Sequence, residues 1–275
     1  MTFIITLVSL VTERFFDFSH LRRWGWFTHY QAWMNQRVVN LPPYLALLAC
    51  LVPPVLIVAL IGKILSGWLF GLPQLIFGVI VVVYCLGPQN LWVQMYSCIT
   101  AAQKGDPKAA IDQMQQVFGI KAPKDSQSFH QTLTRTLFVE SDRRVFAVLF
   151  WFVVLGPAGA VLYRLVALST LQSGIAPAAE KAQQILDWLP ARVMTFIFAL
   201  SGHFTEVFVY WKRYATGGLN TSDTLLADCG VAALDVEVEG NKIPEDGSVE
   251  QKAMDLLDRV FVMAVVILAI IVLLT

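Results

Sequence analysis

The stretch Leu72-Pro-Gln-Leu-Ile-Phe-Gly-Val-Ile-Val-Val-Val-Tyr-Cys-Leu-Gly-Pro-Gln-Asn-Leu-Trp92 holds no charged side chain and is rich in Val and Ile. A helix needs roughly 20 mainly apolar residues to cross about 30 Å of hydrocarbon at about 1.5 Å per residue, and this run meets that need. Other segments read the same way. Residues 44–61 carry Pro53 and Pro54, which a packed membrane helix accepts as a kink. Residues 145–165 contain Gly156, Pro157 and Gly159 and are expected to form one kinked helix that a neighbour approaches closely. The last apolar run crosses, over about 256–274, if the amphipathic stretch from about Val249 continues as the same helix. A fifth candidate, 193–211, includes His203 and Glu206.

Composition agrees with a membrane environment. Of 275 residues, 56% are apolar or aromatic and 15% are charged, against about 25% charged in an ordinary soluble domain. Lys plus Arg equal Asp plus Glu at 20 each, so the basic excess of a nucleic-acid binder is missing and the lipid bilayer is the expected partner. Cys50, Cys85, Cys98 and Cys229 stand far apart without a CxxC pair, and they read as packed thiols, not a zinc site or a disulfide framework.

Basic residues give the chain a direction. With five spans and a cytoplasmic N-terminal part, 16 of the 20 Lys and Arg residues face the cytoplasm, and Lys63, Arg164, Lys181 and Arg192 face outward. The expected fold is therefore an all-α integral membrane protein of about five transmembrane helices, with two cytoplasmic polar segments. The first, 94–144, reads as a helical hairpin, with a helix start at Asp106-Pro107, a break over 119–123 and a second helix from about Ser126. The second, 217–258, is strongly acidic, and its alternation over 233–240 suits a small strand or hairpin. Residues 2–18 present Phe3, Ile4, Leu7, Val8, Val11 and Phe15 at helical spacing and read as an uncleaved interfacial helix.

Charges at membrane depth mark candidate sites, because a charge facing lipid at the bilayer centre costs about 2.5 to 3.5 kcal/mol on insertion scales. On a continuous helix Arg192, Thr195, Ala199, His203 and Glu206 share one stripe, and His203 and Glu206 are spaced to pair. Such a stripe serves either helix packing or a ligand or proton site. Glu140, Asp142, Arg143 and Arg144 precede the third span. The arginines fit topology anchors, while the two carboxylates could hold Mg²⁺ or orient an amine. Nucleophile-elbow, P-loop and HExxH signatures are absent.

Several strings carry a family resemblance: 3–15, Glu140-Ser-Asp-Arg-Arg-Val-Phe-Ala-Val-Leu-Phe-Trp-Phe152 with Gly156-Pro-Ala-Gly-Ala-Val-Leu-Tyr-Arg164, Leu186-Asp-Trp-Leu-Pro-Ala-Arg192, and Ser201-Gly-His203. In this order they resemble the AmpE family of bacterial inner-membrane proteins. The resemblance implies a regulatory or signalling modulator of β-lactamase induction, and hence of antibiotic resistance. It also implies a link to cell-wall recycling through a cytoplasmic anhydro-muropeptide amidase or another regulatory protein. That family is in turn similar to the CobD/CbiB membrane enzymes of cobalamin synthesis, which form an amide bond to an aminopropanol group. Glu140, the Gly-Pro-Ala-Gly turn with Tyr163-Arg164, and Asp187 with Leu189-Pro-Ala-Arg192 carry that similarity. Where the synthases show Gly-Arg-Asp-Thr this chain has Gly119-Ile-Lys-Ala122, and their Glu-Ser-x-x-Glu-Asn is here Glu140-Ser-Asp-Arg-Arg-Val. The missing groups would hold phosphate or metal, which favours a regulatory protein over a synthase. Candidate ligand contacts are Glu140, Asp142, Arg143, Asp187, Arg192, His203 and Glu206, with Glu140 and Asp142 for a metal. A transporter is the third expectation, drawn from Pro53-Pro54, Gly156-Pro157 and the His203 and Glu206 pair. Five spans without an inverted repeat weigh against it.

Overall fold

The computed structural model describes residues 2–15, 22–37, 41–66, 71–87, 91–103, 107–119, 125–172, 174–214, 216–234 and 247–274. Every regular element among them is helical, and none is a strand. The chain forms two units, one from residues 1–89 and 144–188, the other from 90–143 and 189–275.

The first unit contains α1 (Thr2–Phe15), α2 (Gly25–Arg37), α3 (Pro43–Leu65), α4 (Leu72–Cys85), α8 (Ala147–Leu155) and α9 (Pro157–Ser169). α9 packs against α3 and α4, and α1 packs on α4. Gly78 permits that last approach, since a Cβ there would lie 2.7 Å from Ile5 Cδ1. α1 leaves Ile4, Leu7, Val8 and Val11 exposed, and α3 exposes Leu48, Val52, Leu56, Leu60 and Ile64. A polar seam ties α2 to the end of α9, where Gln31 Nε2 donates to Ser169 Oγ at 2.8 Å and Asn35 Nδ2 to Gln172 Oε1 at 3.0 Å.

The single kinked helix expected over 145–165 is two helices. α8 has 9 residues and continues without a break from the π-helical turn Asp142–Phe146, and α9 has 13, about 20 Å. Gly156 separates them at φ 70° and ψ −160°, a region essentially open to glycine only. The chain then folds back on itself, because a Cβ at Gly159 would lie 2.2 Å from the Trp151 carbonyl oxygen. A continuous helix would hold those residues about 12 Å apart. Kink and reversal share the sequence cue Gly-Pro-x-Gly, and the positive φ selects reversal.

The second unit contains α5 (Leu91–Gln103), α6 (Pro107–Phe118), α7 (Ser126–Ser141), α11 (Phe204–Tyr214), α12 (Ser222–Ala233) and α13 (Ser248–Leu274). α10 (Ala176–Ser201) begins in the first unit and ends in this one. α7 packs against α12 and α13, and α11 against α12. α6 stops before Gly119, at φ 68°, and α7 starts where the Asp125 side chain accepts the Ser128 N–H at 2.9 Å. Those hydrogen bonds hold the Asp125 carboxyl below its usual range. The strand expected over 233–240 begins on a residue that ends α12, and 235–240 lie outside the described residues.

α3 and α13 are the described helices long and apolar enough to cross a membrane. α13 runs unbroken for 27 residues, joining the amphipathic stretch from Val249 to the apolar run. The 193–211 segment is not one helix: α10 stops at Ser201 and α11 begins at Phe204. Gly202 allows the break, since a Cβ there would meet the Ala233 carbonyl oxygen at 2.4 Å. All four cysteines are buried and free.

The α8–α9 reversal predicts that Gly159→Ala, which forces a methyl into backbone, lowers stability by about 1–3 kcal/mol. Denaturant unfolding in detergent measures this, and an unchanged midpoint would contradict the fold-back.

Candidate functional site

α7 and α12 enclose a cleft of about 360 Å³ within the second unit. Thr132, Arg135, Thr136, Val139 and Glu140 from α7, with Arg143 just beyond it, form one wall, a stripe at helical spacing. Asp223, Thr224 and Ala227 of α12 form the other. The helices approach closely because Gly230 lacks a side chain, so that a Cβ there would lie 2.3 Å from the Phe138 ring. Among the described residues, two ion pairs join α12 to α7 and the turn that follows it. Arg135 Nη2 lies 2.7 Å from Asp228 Oδ1, and Arg143 Nη2 donates to both Asp223 oxygens at 2.9 and 2.8 Å.

The face of α7 turned away from the cleft, about 150° around the helix at 100° per residue, carries His130. Its Nδ1 lies 2.7 Å from Glu250 Oε1 of α13, and both side chains are buried. Trp92 Nε1 donates to Asp258 Oδ1 at 2.9 Å and its ring packs on Phe261, tying α5 to α13 as well. One helix thus lines the cleft and holds the long apolar helix. Burial, with a smaller contribution from Asp228, pushes the Cys229 thiol of α12 up to about 12. It stays protonated at neutral pH and offers no thiolate nucleophile.

The structure distributes the residues expected to form sites. Glu140 and Arg143 line the cleft. Asp142 is fully buried at the start of the π-helical turn Asp142–Phe146, so it does not share the surroundings of Glu140. Among the described residues no group of three or more His, Cys, Asp and Glu is placed to hold a metal ion. Asp187 belongs to the first unit and accepts Tyr163 O–H at 2.7 Å and Gln183 Nε2 at 2.8 Å. Arg192 donates from Nη2 to the Tyr214 and Gly217 carbonyls at 3.3 and 3.1 Å, tying α10 to the end of α11.

His203 lies in the helix break, where its backbone N–H donates to the Ala233 carbonyl at 3.4 Å. His203 and Glu206 are exposed, so the break corrects the expectation of one polar stripe running from Arg192 to Glu206. Sequence reading missed Arg135 and Asp223 as cleft residues, Asp228 as the partner of Arg135, and His130 with Glu250 as a buried pair. Arg135, Val139 and Arg143 at every fourth position were the available signal on α7. On α12 the aspartates read as part of a solvated acidic run.

Across its whole length, residues 1–275, the chain matches the family model described as regulatory signalling modulator protein AmpE. Protein AmpE of Shigella flexneri is 27% identical over 181 residues, 59% of this chain and 62% of that protein. Cobalamin biosynthesis protein CobD of Chromobacterium violaceum is 34% identical over 104 residues, 35% of this chain and 33% of its own. CobD of Stutzerimonas stutzeri is 28% identical over 127 residues, 43% and 42% of the two chains. The matched part of this chain spans less than two thirds of the length of each of these relatives. No solved structure matches it significantly.

The two kinds of charge pair predict unequal losses. Arg143→Ala, at a half-exposed pair, changes unfolding stability by less than about 1 kcal/mol. Glu250→Ala removes the buried hydrogen-bond partner of His130 Nδ1 and lowers stability by about 1–3 kcal/mol. Equilibrium unfolding of both variants in one detergent checks the contrast.

Proposed function

Because the chain belongs to the AmpE family, we propose that it is a multi-pass bacterial inner-membrane protein that regulates β-lactamase induction. In this reading it senses a small zwitterionic cell-wall fragment in the α7–α12 cleft. The observation that carries the reading is the double attachment of α7, to the cleft on one face and to α13 through His130 and Glu250 on the other.

The cleft chemistry suits a peptide bearing both amines and carboxylates. Arg135 and Arg143 offer forked donors to a carboxylate. Glu140 and Asp223 accept an ammonium, and Thr132, Thr136 and Thr224 supply neutral hydrogen bonds. A ligand of this kind replaces the Arg143 to Asp223 pair at little cost, since both partners are half exposed. The acidic segment 217–258, which begins beside α12, then provides the surface for a cytoplasmic amidase or another regulatory protein. The CobD similarity supports a second reading, amide-bond formation on an amine bound by Glu140.

The α8–α9 reversal at Gly156 supports a topology with fewer crossings than five. α3 carries the chain out, and α4 returns it, its 14 residues spanning about 21 Å with local bilayer thinning. The hairpin enters and comes back to the cytoplasmic side, and α13 crosses last. Lys63 is then the basic residue left on the outer side, a stronger charge bias than the five-span arrangement gives.

Two measurements test this reading. Calorimetry with a 1,6-anhydro-muropeptide gives binding to the wild type and at least about tenfold weaker binding to Glu140→Ala or Arg143→Ala, equivalent to about 1.4 kcal/mol. No heat with the wild type removes the sensor, and turnover of an amine substrate to an amide instead favours the synthase. Alkaline-phosphatase fusions are active after Leu274 and inactive after Gln172 and Phe118; activity after Gln172 would rule out the returning hairpin.

A further inference from the structure

We propose that α2 lies in the headgroup layer of the membrane and that its stripe of Trp26, Tyr30, Trp33 and Arg37, with Arg23 ahead of it, docks on anionic phospholipid. The proposal rests on the reading of α3 as a membrane crossing and not on the sensor reading.

The position of α2 in the first unit sets its depth. α3 starts at Pro43, shortly after α2 ends at Arg37, and the two helices pack together. Gln31 and Asn35 bond Ser169 and Gln172 at the end of α9. Trp26 Nε1 donates to the Tyr84 oxygen near the end of α4 at 2.9 Å, and the Trp24 ring lies 4.5 Å from the Tyr84 ring. Arg22 Nη1 donates to the Gly87 carbonyl, just beyond α4, at 2.8 Å. α2 therefore lies across the start of α3 and the ends of α4 and α9, at the level where a crossing helix meets the headgroups.

On α2 itself, Trp26, Tyr30, Trp33 and Arg37 fall within about 60° of one another at about 100° per residue. Trp26 and Trp33 are 47% and 50% exposed, while Phe27 and Gln31 on the adjoining face are buried. The Tyr30 and Trp33 rings lie 6.1 Å apart, and the Arg37 guanidinium sits 3.5 Å over the Trp33 ring. Arg23 and Arg37 are exposed at the two ends of the stripe, and the chain has no acidic residue between Asp17 and Asp106.

Half-exposed tryptophans at this depth suit the interface, where the ring meets acyl chains and its polar edge stays near the headgroups. Arginines at both ends with no carboxylate on the helix complement an anionic headgroup layer. A second copy of this chain docked on the same face would set arginine against arginine, which disfavours a symmetric contact.

The test uses the full chain in vesicles of phosphatidylcholine brominated either near the headgroup or near the chain ends. The share of tryptophan fluorescence that Trp33→Phe removes is quenched at least about twofold more by the shallow bromine than by the deep one. A second arm titrates phosphatidylglycerol into the protein in neutral detergent. Arg37→Gln binds it about fivefold more weakly than wild type, and Arg37→Lys, which keeps the charge, retains wild-type affinity. Stronger quenching of the Trp33 share by deep bromine, unchanged affinity of Arg37→Gln, or equal losses in the Gln and Lys variants would each overturn the site. So would protection of the Trp33 share from both bromines while other tryptophans are quenched, which indicates water or protein on this face. Protection of all eight tryptophans would remove the membrane reading and the site with it.

Discussion

A charged side chain removed from water must meet a partner, and that constraint organises both units. An isolated buried ion is so unfavourable that proteins pair it, neutralise it or exclude it. In the second unit the rule yields His130 against Glu250, which fixes α13 to α7 at a defined position along the helix. In the first unit it shapes the surroundings of Asp187, held by Tyr163 and Gln183. The apolar faces of α3 and α13 supply the driving force for membrane burial but no register, since one Leu or Val faces lipid much as the next does. Position along the helices comes from the polar groups and from the glycines that admit close approach.

The parts legible in the sequence are those set by local chemistry. Pro107 and Gly119 delimit α6, Asp125 caps α7, and the amphipathic stretch before the last apolar run continues into α13 as its periodicity indicates. The parts that were not legible depend on one torsion angle or on distant contacts. Gly156 followed by proline is compatible with a kink or a reversal, and only φ distinguishes them. His203 and Glu206 fall at helical spacing from Arg192, yet Gly202 lies against the Ala233 carbonyl and stops the helix before either. The cleft residues Arg143 and Asp223 are 80 positions apart. Arg22 and Gly87 are separated by 65, so no window of sequence shows them together.

The strings that resemble the cobalamin synthases have architectural work visible in the structure. Gly156 and Gly159 make the α8–α9 reversal, Tyr163 hydrogen-bonds Asp187, and Arg192 ties α10 to the end of α11. Residues that shape a helix reversal or join two helices are shared for reasons of fold, whatever reaction one relative performs. The departures fall elsewhere, around Gly119 and in the residues after Glu140. Similarity at the joints is what a common scaffold requires.

The two polar pairs held by α7 and the turn after it divide their work. Arg143 with Asp223 is half exposed, so water and salt weaken it and a ligand with matching charges can take either partner's place for less than about 1 kcal/mol. His130 with Glu250 lies in the interior, where separating the partners leaves a polar group that water cannot reach, at about 1–3 kcal/mol. In the sensor we propose, a ligand that shifts α7 exchanges the weak pair and carries the strong one along, moving α13 instead of detaching it. Reversing the placement would fail. A buried pair in the cleft would resist the ligand, and an exposed pair at α13 would slip before transmitting any displacement.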